Sequence, residues 1–293
     1  MSIWLSFGLG LALDILAIIG EAAGSMNYPG GKAGSGMAQR IINLMPPHLT
    51  YIEPFGGSAA VARLKREAFD NFVFELDPLA LDRARAAAGA ARQLWRGERS
   101  RDRISPAAAS APGPDASPGS TILESRHKQR GRPVWFWILG DGLRFLETYE
   151  FDGSELVYAD PPYVFESRRS ARPIYEHEFD PLQHQRLLRW AIATRARVIL
   201  SGYPSELYER ALGAWSSQSF QAMTRGGVAT EVIWTNFAPG PELHDDRFLG
   251  DGFRERERIK RKQARWVNRL AKMPAAERLA LRGAIVELGG VVG

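Results

Sequence analysis

The chain has 293 residues, of which 45% are hydrophobic and 24% charged, with no cysteine and a formal net charge of +5. A chain of this length can bury a full α/β core, so a small disulfide-rich scaffold is excluded. The lack of cysteine also excludes thiolate metal sites, iron–sulfur clusters and a cysteine nucleophile. It fits a reducing compartment, and we expect a cytoplasmic protein.

Histidine spacing and charge distribution narrow the chemistry further. None of the five histidines forms an HxH or HxxxH pair, so no dedicated metal site is expected. Residues 251–293 hold 11 Lys or Arg and 5 Asp or Glu, a local charge of +6 that leaves −1 for residues 1–250. The basic character is therefore a property of the C-terminal part.

The first 25 residues are apolar, but Asp14 interrupts the run and no Lys or Arg precedes it. Membrane-spanning helices and signal peptides usually have an uninterrupted apolar core with a basic flank. We expect residues 1–25 to be an apolar extension or a peripheral helix with no membrane partner. The folded domain is then expected to begin near Met26.

From Tyr51 onward, short β-rich runs alternate with helical stretches, which predicts an α/β fold with a mostly parallel sheet. The last two of seven strands flank a Gly-Gly pair and are expected to form an antiparallel edge hairpin. The predicted strands are residues 50–53, 72–76, 134–139, 156–159, 198–201, 217–224 and 231–236. The predicted helices are residues 58–68, 78–94, 142–149, 181–194 and 205–212.

Composition divides the rest of the chain. Residues 96–131 are rich in Ala, Ser, Pro and Gly and cannot form a core, so they are predicted to be a flexible insert within a domain of residues 26–240. Residues 241–293 form a basic tail, with one charged helix at about 254–272 and a second after Pro274. This tail could follow a nucleic-acid backbone, or it could be an ordinary charged helix.

The tetrapeptide DPPY (residues 160–163) directly follows a predicted apolar strand. Ligands of open α/β sheets bind at the carboxyl ends of strands, so this motif lies where chemistry is expected. Prolines leave carbonyls free to accept hydrogen bonds, Asp160 adds a carboxylate, and Tyr163 offers a flat face. The set suits an exocyclic amino group on a planar ring. The alternative is a structural turn with a helix-capping Asp160 and a core Tyr163.

A second motif, YIEPFGGSAAV (residues 51–61), places a glycine turn between a strand and a helix. The glycines let the backbone approach a ligand closely, and the helix N-terminus favours an anionic group. No GxGxxG spacing is present, so a dinucleotide is not indicated. Glu75 and Asp77 follow the next strand, where an acidic side chain can accept ribose hydroxyls. A nucleoside-bearing cofactor is indicated, with a tight turn and a surface carboxylate as the alternative.

Together with YPGGK (residues 28–32), these motifs stand in the order found in the DNA adenine methylases, which methylate N6 of adenine with S-adenosyl-L-methionine. The chain resembles this family, especially its phage-type members, over most of residues 26–237. GDGL (140–143), SGYPSELYERAL (201–212) and TEVIWTNF (230–237) add to the resemblance. It implies a Rossmann-like methyltransferase fold and double-stranded DNA as the partner. We expect a monomer without a metal ion.

The resemblance also implies roles for individual residues. The expected cofactor-binding residues are Tyr28, Lys32, Glu53, Phe55, Gly56, Gly57, Glu75, Asp77 and Asp141. Tyr28 and Lys32 would lie at the methionine end of S-adenosyl-L-methionine. Glu75 would hold the ribose hydroxyls, with Asp77 as a second candidate, and Asp141 would contact the cofactor adenine.

The same resemblance places the target adenine at Asp160, Pro161, Pro162 and Tyr163. Acceptors at Asp160 and at a proline carbonyl would hold the N6 protons and aim the lone pair at the methyl group for in-line transfer. The base would be extruded from the duplex and stacked on Tyr163. Phosphate contacts are expected from the loop that follows, at Arg168, Arg169 and Arg172, with a solvated basic loop as the alternative.

Two features depart from the family. The interval that usually holds the target-recognition region is short and largely low in complexity, and Ala59 replaces a glycine often found in the cofactor loop. Two other hypotheses therefore stay open. One is a catalytically degenerate DNA-binding remnant, and the other is a methyltransferase acting on RNA or on a protein amide.

Overall fold

The computed structural model describes Lys32 and residues 36–95, 132–164, 177–224, 227–240 and 242–290. The predictions for residues 1–25, Tyr28 and the insert 96–131 therefore lie outside the described residues. The same holds for the three predicted DNA contacts at Arg168, Arg169 and Arg172. The chain divides into two compact units, one up to His244 and one from Asp245 onward.

Seven strands of the first unit form one sheet in the order β3-β2-β1-β4-β5-β7-β6. Strands β1 to β5 are parallel, and β7 runs antiparallel to both β5 and β6. This is the predicted Rossmann-like fold, a mostly parallel seven-stranded sheet with an antiparallel hairpin at one edge. The strands are β1 (Thr50–Glu53), β2 (Asp70–Glu75), β3 (Val134–Leu139), β4 (Glu155–Ala159), β5 (Arg197–Gly202), β6 (Ser216–Thr224) and β7 (Gly227–Thr235).

Six described helices belong to the first unit and two to the second. Helix α1 was not predicted, because it has six residues and its N-cap, Gly36, offers no side-chain cap. By contrast, α5 begins with a capping box between Asp180 and Gln183. The helices are α1 (Met37–Ile42), α2 (Ala60–Leu64), α3 (Pro78–Trp95), α4 (Gly142–Thr148), α5 (Pro181–Ala193), α6 (Glu206–Leu212), α7 (Phe253–Ala271) and α8 (Ala275–Gly290).

Helix α2 is shorter than the predicted range of residues 58–68. Its N-cap, Ala59, has the left-handed angles φ 47° and ψ 39°, so the helix cannot begin earlier. At its other end Lys65 is extended, with ψ 159°. The Asn71 side chain then holds the following loop by bonding both the amide and the carbonyl of Ala68, at 3.0 and 2.8 Å.

The core of the first unit lies against the central strands. Every residue of β1 and of β4 is buried, as expected for parallel strands covered on both faces. Helices α4, α5 and α6 pack their leucines on β1, β4 and β5. Two backbone approaches fix the loops at the carboxyl edge of the sheet. A Cβ on Gly142 would lie 2.1 Å from the Pro54 carbonyl oxygen, and one on Gly56 would lie 2.7 Å from Val73 Cγ1.

The second unit contains α7 and α8. No residue of α7 is buried, although the helix has 19 residues. Among the described residues, no helix combines the length and the apolar character that crossing a membrane requires.

Ala59 is the only described non-glycine residue with a positive φ, and this conformation gives a stability prediction. An L-residue in the left-handed region is strained by roughly 1–2 kcal/mol, which glycine avoids. Glycine removes this strain but also makes the unfolded chain more flexible, which offsets part of the gain. We expect Ala59→Gly to raise the free energy of unfolding by about 0.5–1 kcal/mol. Urea denaturation followed by circular dichroism measures the change.

The matched control is Ala62→Gly, because Ala62 is equally buried but lies inside α2. Glycine within a helix costs about 1 kcal/mol, so this variant should change stability in the opposite direction. A loss of stability in both variants would contradict the strain assigned to Ala59.

Candidate active site

An open cavity of about 850 Å³ lies at the carboxyl ends of β1, β2 and β4. The parallel register of these strands brings their ends to one edge of the sheet, where ligands of α/β folds bind. The predicted site residues that line the cavity are Lys32, Glu53, Phe55, Gly56, Gly57, Glu75, Asp141, Asp160, Pro161 and Pro162.

Two predicted site residues are not part of the described cavity wall. Asp77 caps α3 instead, since its Oδ1 accepts a hydrogen bond of 2.8 Å from the Leu79 amide. Tyr163 is 6% exposed, and its ring centroid lies 4.2 Å from that of Tyr203. Asp77, the second candidate for binding the ribose, and Tyr163, the ring expected to stack on a base, therefore do not line the cavity.

Lys32 is the centre of a buried polar network. Its Nζ donates to Asp160 Oδ1 at 2.8 Å and to the Tyr163 hydroxyl at 2.6 Å, and it lies 2.6 Å from Glu231 Oε1. The Tyr163 hydroxyl in turn donates to Glu231 Oε1 at 3.0 Å. Two nearly buried carboxylates, one after β4 and one on β7, thus share one ammonium group.

This sharing sets the charge of the network. Burial opposes the charged form of Lys32, but the carboxylates of Asp160 and Glu231 outweigh it and hold the pKa of Lys32 well above its ordinary value. Burial raises the pKa of Asp160, while Lys32 opposes the rise and Glu231 adds to it. The ammonium is therefore the group that favours an ionised Asp160 in a buried position.

One oxygen of Asp160 is fixed and the other is left for a ligand. Oδ1 accepts from Lys32 and also from Ser201 Oγ, at 2.9 Å, and the Tyr158 hydroxyl lies 3.0 Å from the same Oγ. Because the Ser201 hydroxyl donates its one hydrogen to Asp160, the Tyr158 hydroxyl must be the donor to Ser201. Within the described residues Oδ2 has no hydrogen-bond partner, and Asp160 lines the cavity.

Glu53, at the end of β1, is a buried carboxyl group on the same wall. Its Oε2 accepts from the Tyr51 hydroxyl at 2.7 Å and from the Ala62 amide at 3.1 Å. Burial raises the pKa of Glu53 to about 8, with the Tyr51 hydrogen bond opposing and the Asp160 charge reinforcing the rise. At neutral pH the free protein therefore holds Glu53 mostly protonated, and a cation bound beside it would favour its ionised form.

Backbone amides hold two further acids of the wall, Glu75 and Asp141. Glu75 accepts from the amides of Gly57, Leu76 and Asp77 at 2.5, 2.8 and 3.0 Å, which ties the glycine turn to the end of β2. Asp141 caps α4 through the amides of Leu143 and Arg144. Because each carboxylate oxygen can accept more than one hydrogen bond, both acids can still bind ligand hydroxyl or amino groups.

The site also contains Glu231 and Ser201, which the sequence motifs do not predict. Glu231 is the one charged residue in the sequence of β7, and a charge in an otherwise apolar strand is a usable signal. Ser201 is the one polar residue between Val198 and Gly202 on β5. Within the described ranges, no group of three or more acidic or histidine side chains is arranged to hold a metal ion.

No protein-family model matches the chain, and no curated protein matches its sequence. Three similar solved structures share 18, 10 and 10% identity with it, each at a TM-score of 0.38. TrmN from Thermus thermophilus covers 68% of this chain, and the chain spans only 46% of TrmN. The putative RNA methyltransferase PH1948 from Pyrococcus horikoshii aligns with 71% of this chain, and the alignment spans 85% of PH1948. The O-methyltransferase from Bacillus cereus in complex with SAH aligns with 76% of this chain, and the alignment spans 89% of that enzyme.

The raised pKa of Glu53 predicts how stability depends on pH. Between the ordinary value of 4.5 and about 8, the folded protein holds a proton that the unfolded chain releases. The contribution of Glu53 to the free energy of unfolding therefore falls as the pH rises through this window. We expect Glu53→Gln to match the natural chain near pH 5 and to be more stable by up to a few kcal/mol above about pH 8.

Urea denaturation over this pH range measures the difference. Glu147→Gln provides a control of opposite sign, because the hydrogen bond from Arg186 lowers the pKa of the exposed Glu147. That variant should lose stability relative to the natural chain as the pH rises through the acidic range. A pH-independent difference for Glu53→Gln would contradict a protonated Glu53.

The shared ammonium predicts strong coupling between Lys32 and Glu231. Lys32→Met leaves two buried carboxylates without a cation and should cost on the order of 3 kcal/mol. Glu231→Gln should cost less, because Lys32 keeps Asp160 as its partner. In a double-mutant cycle followed by urea denaturation, we expect the double variant to be at least about 1 kcal/mol more stable than additivity predicts. Additive losses would exclude the shared ion pair.

Proposed function

We propose that the chain is a DNA methyltransferase that transfers a methyl group from S-adenosyl-L-methionine to N6 of adenine. The observation that carries this proposal is the Asp160 carboxylate on the cavity wall. Lys32 and Ser201 fix its Oδ1, two prolines follow it directly, and Oδ2 accepts no hydrogen bond from the described residues. An oriented acceptor of this kind suits an amino group that must present its lone pair.

The acids of the cavity wall fit S-adenosyl-L-methionine, which carries a sulfonium, an ammonium group and ribose hydroxyls. Glu53 would face the positive charge, because a cation stabilises the carboxylate that burial disfavours. Glu75, fixed by three amides, would accept the ribose hydroxyls, and Asp141 would contact the adenine. Gly56 and Gly57 would let the backbone approach the cofactor. When bound, the cofactor supplies an electrophilic methyl group.

The residues after β4 would prepare the substrate nitrogen. The N6 lone pair of adenine is delocalised into the ring, so the amino group is a poor nucleophile. Asp160 Oδ2 and a carbonyl of the Pro161-Pro162 pair would accept its two protons and favour a tetrahedral nitrogen. Once the nitrogen forms its bond to the methyl carbon it must lose one proton, which Asp160 Oδ2 would accept. Lys32 favours the ionised form of this carboxylate, against the burial that raises the pKa of Asp160.

The remaining predicted contacts belong to this proposal as well. N6 of adenine is paired in duplex DNA, so the base must leave the stack at a cost of a few kcal/mol. Arg168, Arg169 and Arg172 are proposed to contact phosphates, and Tyr28 to lie at the methionine end of the cofactor. For Tyr163, the bonds from Lys32 and to Glu231 favour a role in holding the network rather than in stacking on the base.

A radiolabel assay tests the proposal. Purified protein incubated with methyl-labelled S-adenosyl-L-methionine and duplex DNA should place the label in N6-methyladenine. Asp160→Ala should lower the rate at least about a hundredfold, because the amino group loses its oriented acceptor. Calorimetry should show that the Asp160→Ala variant still binds the cofactor.

Glu206→Ala serves as the matched control, since Glu206 is an exposed acid of α6 outside the cavity. It should keep the full rate. Label in RNA but not in DNA would overturn the choice of substrate. Cofactor binding without label in any nucleic acid would overturn the activity and leave a degenerate enzyme or a methyltransferase acting on a protein amide.

A further inference from the structure

Helix α7 carries a row of five exposed arginines that the candidate active site does not use. They stand at helical spacings of four, three, four and four residues, which places them on one face of an α-helix. We call this row the arginine stripe, and it consists of Arg254, Arg258, Arg261, Arg265 and Arg269. All five side chains are exposed.

The positive charge of the stripe is largely uncompensated. Helix α7 holds eight Lys or Arg and only two Glu. Arg258 pairs with Glu255, and among the described residues no carboxylate forms a salt bridge with the other four arginines. Like charges three or four residues apart each destabilise a helix by a few tenths of a kcal/mol. The stripe is thus a continuous cationic surface that a polyanion would stabilise.

The dimensions and chemistry of the stripe match a nucleic-acid backbone. From Arg254 to Arg269 the helix rises by about 22 Å, and a DNA duplex carries roughly one phosphate per 1.7 Å of its axis. A guanidinium group can donate two parallel hydrogen bonds to one phosphate, which a lysine ammonium cannot. Each arginine can therefore find a phosphate partner along the same length of duplex.

We propose that the arginine stripe binds the phosphate backbone of double-stranded DNA. This inference rests on the proposed function only for the choice of duplex DNA as the polyanion. Backbone contacts position a protein without reading bases, so this binding does not depend on sequence or on cofactor. It gives the chain a candidate DNA-binding surface besides the phosphate contacts expected at Arg168, Arg169 and Arg172.

A membrane surface fits the helix less well. An interfacial helix needs a continuous apolar face opposite its basic face. In α7 the cations Arg256 and Lys260 flank Val267 and so interrupt the apolar side of the helix. Ile259 and Leu270, on the same side as Trp266, are only partly exposed. The cationic face is therefore the stronger feature of this helix.

The test compares two triple variants of the full chain with equal loss of charge. Arg258, Arg261 and Arg265 are changed to Gln in the stripe variant, and Lys260, Arg278 and Arg282 in the control variant. Gln is a good helix former, so circular dichroism should show unchanged helix content in both. Fluorescence anisotropy with a labelled duplex, without cofactor, measures affinity across a salt series.

We expect the stripe variant to bind at least roughly tenfold more weakly at 0.1 M salt and its salt slope to fall by roughly two to three, one per lost phosphate contact. The control variant should change much less. Equal losses in both variants, or none in the stripe variant, would overturn the stripe as a binding surface. The proposal would also be overturned if the stripe variant bound the duplex as tightly as before but no longer bound vesicles of phosphatidylserine. None of these outcomes depends on methyl transfer. A failure of the stripe to bind DNA can therefore be distinguished from a failure of the proposed methyltransferase activity.

Discussion

The ammonium group of Lys32, shared between Asp160 and Glu231, is the interaction on which the candidate site depends. Asp160 follows β4 and Glu231 lies on β7, so the ion pairs join the two strands that flank β5. Without the cation, two nearly buried carboxylates would repel each other in a region of low dielectric. With it, one oxygen of Asp160 is fixed and the other is free to accept a ligand. A single buried charge therefore joins the edge hairpin of the sheet to the chemistry proposed for β4.

The backbone at the same edge gives the cavity its other wall. Glu75 ties the glycine turn after β1 to the end of β2, and Gly142 allows the turn after β3 to touch the carbonyl of Pro54. These contacts need no ligand, because each one satisfies an amide or fills a space between loops. The wall is thus preorganised by the fold.

The sequence predicts the seven strands, the antiparallel edge hairpin and ten of the residues that line the cavity, because strand ends and turn residues are local features. Asp160 follows from its position after an apolar strand, and Glu53 from the resemblance carried by the motif at residues 51–61. The partners of Lys32 cannot be predicted in this way. Lys32 and Glu231 are far apart along the chain, and Glu231 reaches the site only because β7 pairs with β5. Nor does sequence reveal how a side chain turns after a strand. Asp77 caps a helix and Tyr163 turns into the core for reasons that only packing decides.

Glu53 gives the clearest physical argument for the proposed binding of a positively charged cofactor. In the free protein, a glutamine could accept the same bonds from the Tyr51 hydroxyl and the Ala62 amide without a carboxyl group that burial keeps protonated. The carboxyl group thus adds nothing that the fold requires, and above neutral pH it lowers stability. Its distinct property is that it can ionise when a positive charge arrives. A sulfonium or ammonium group in the cavity would turn this destabilising acid into a binding group and release one proton.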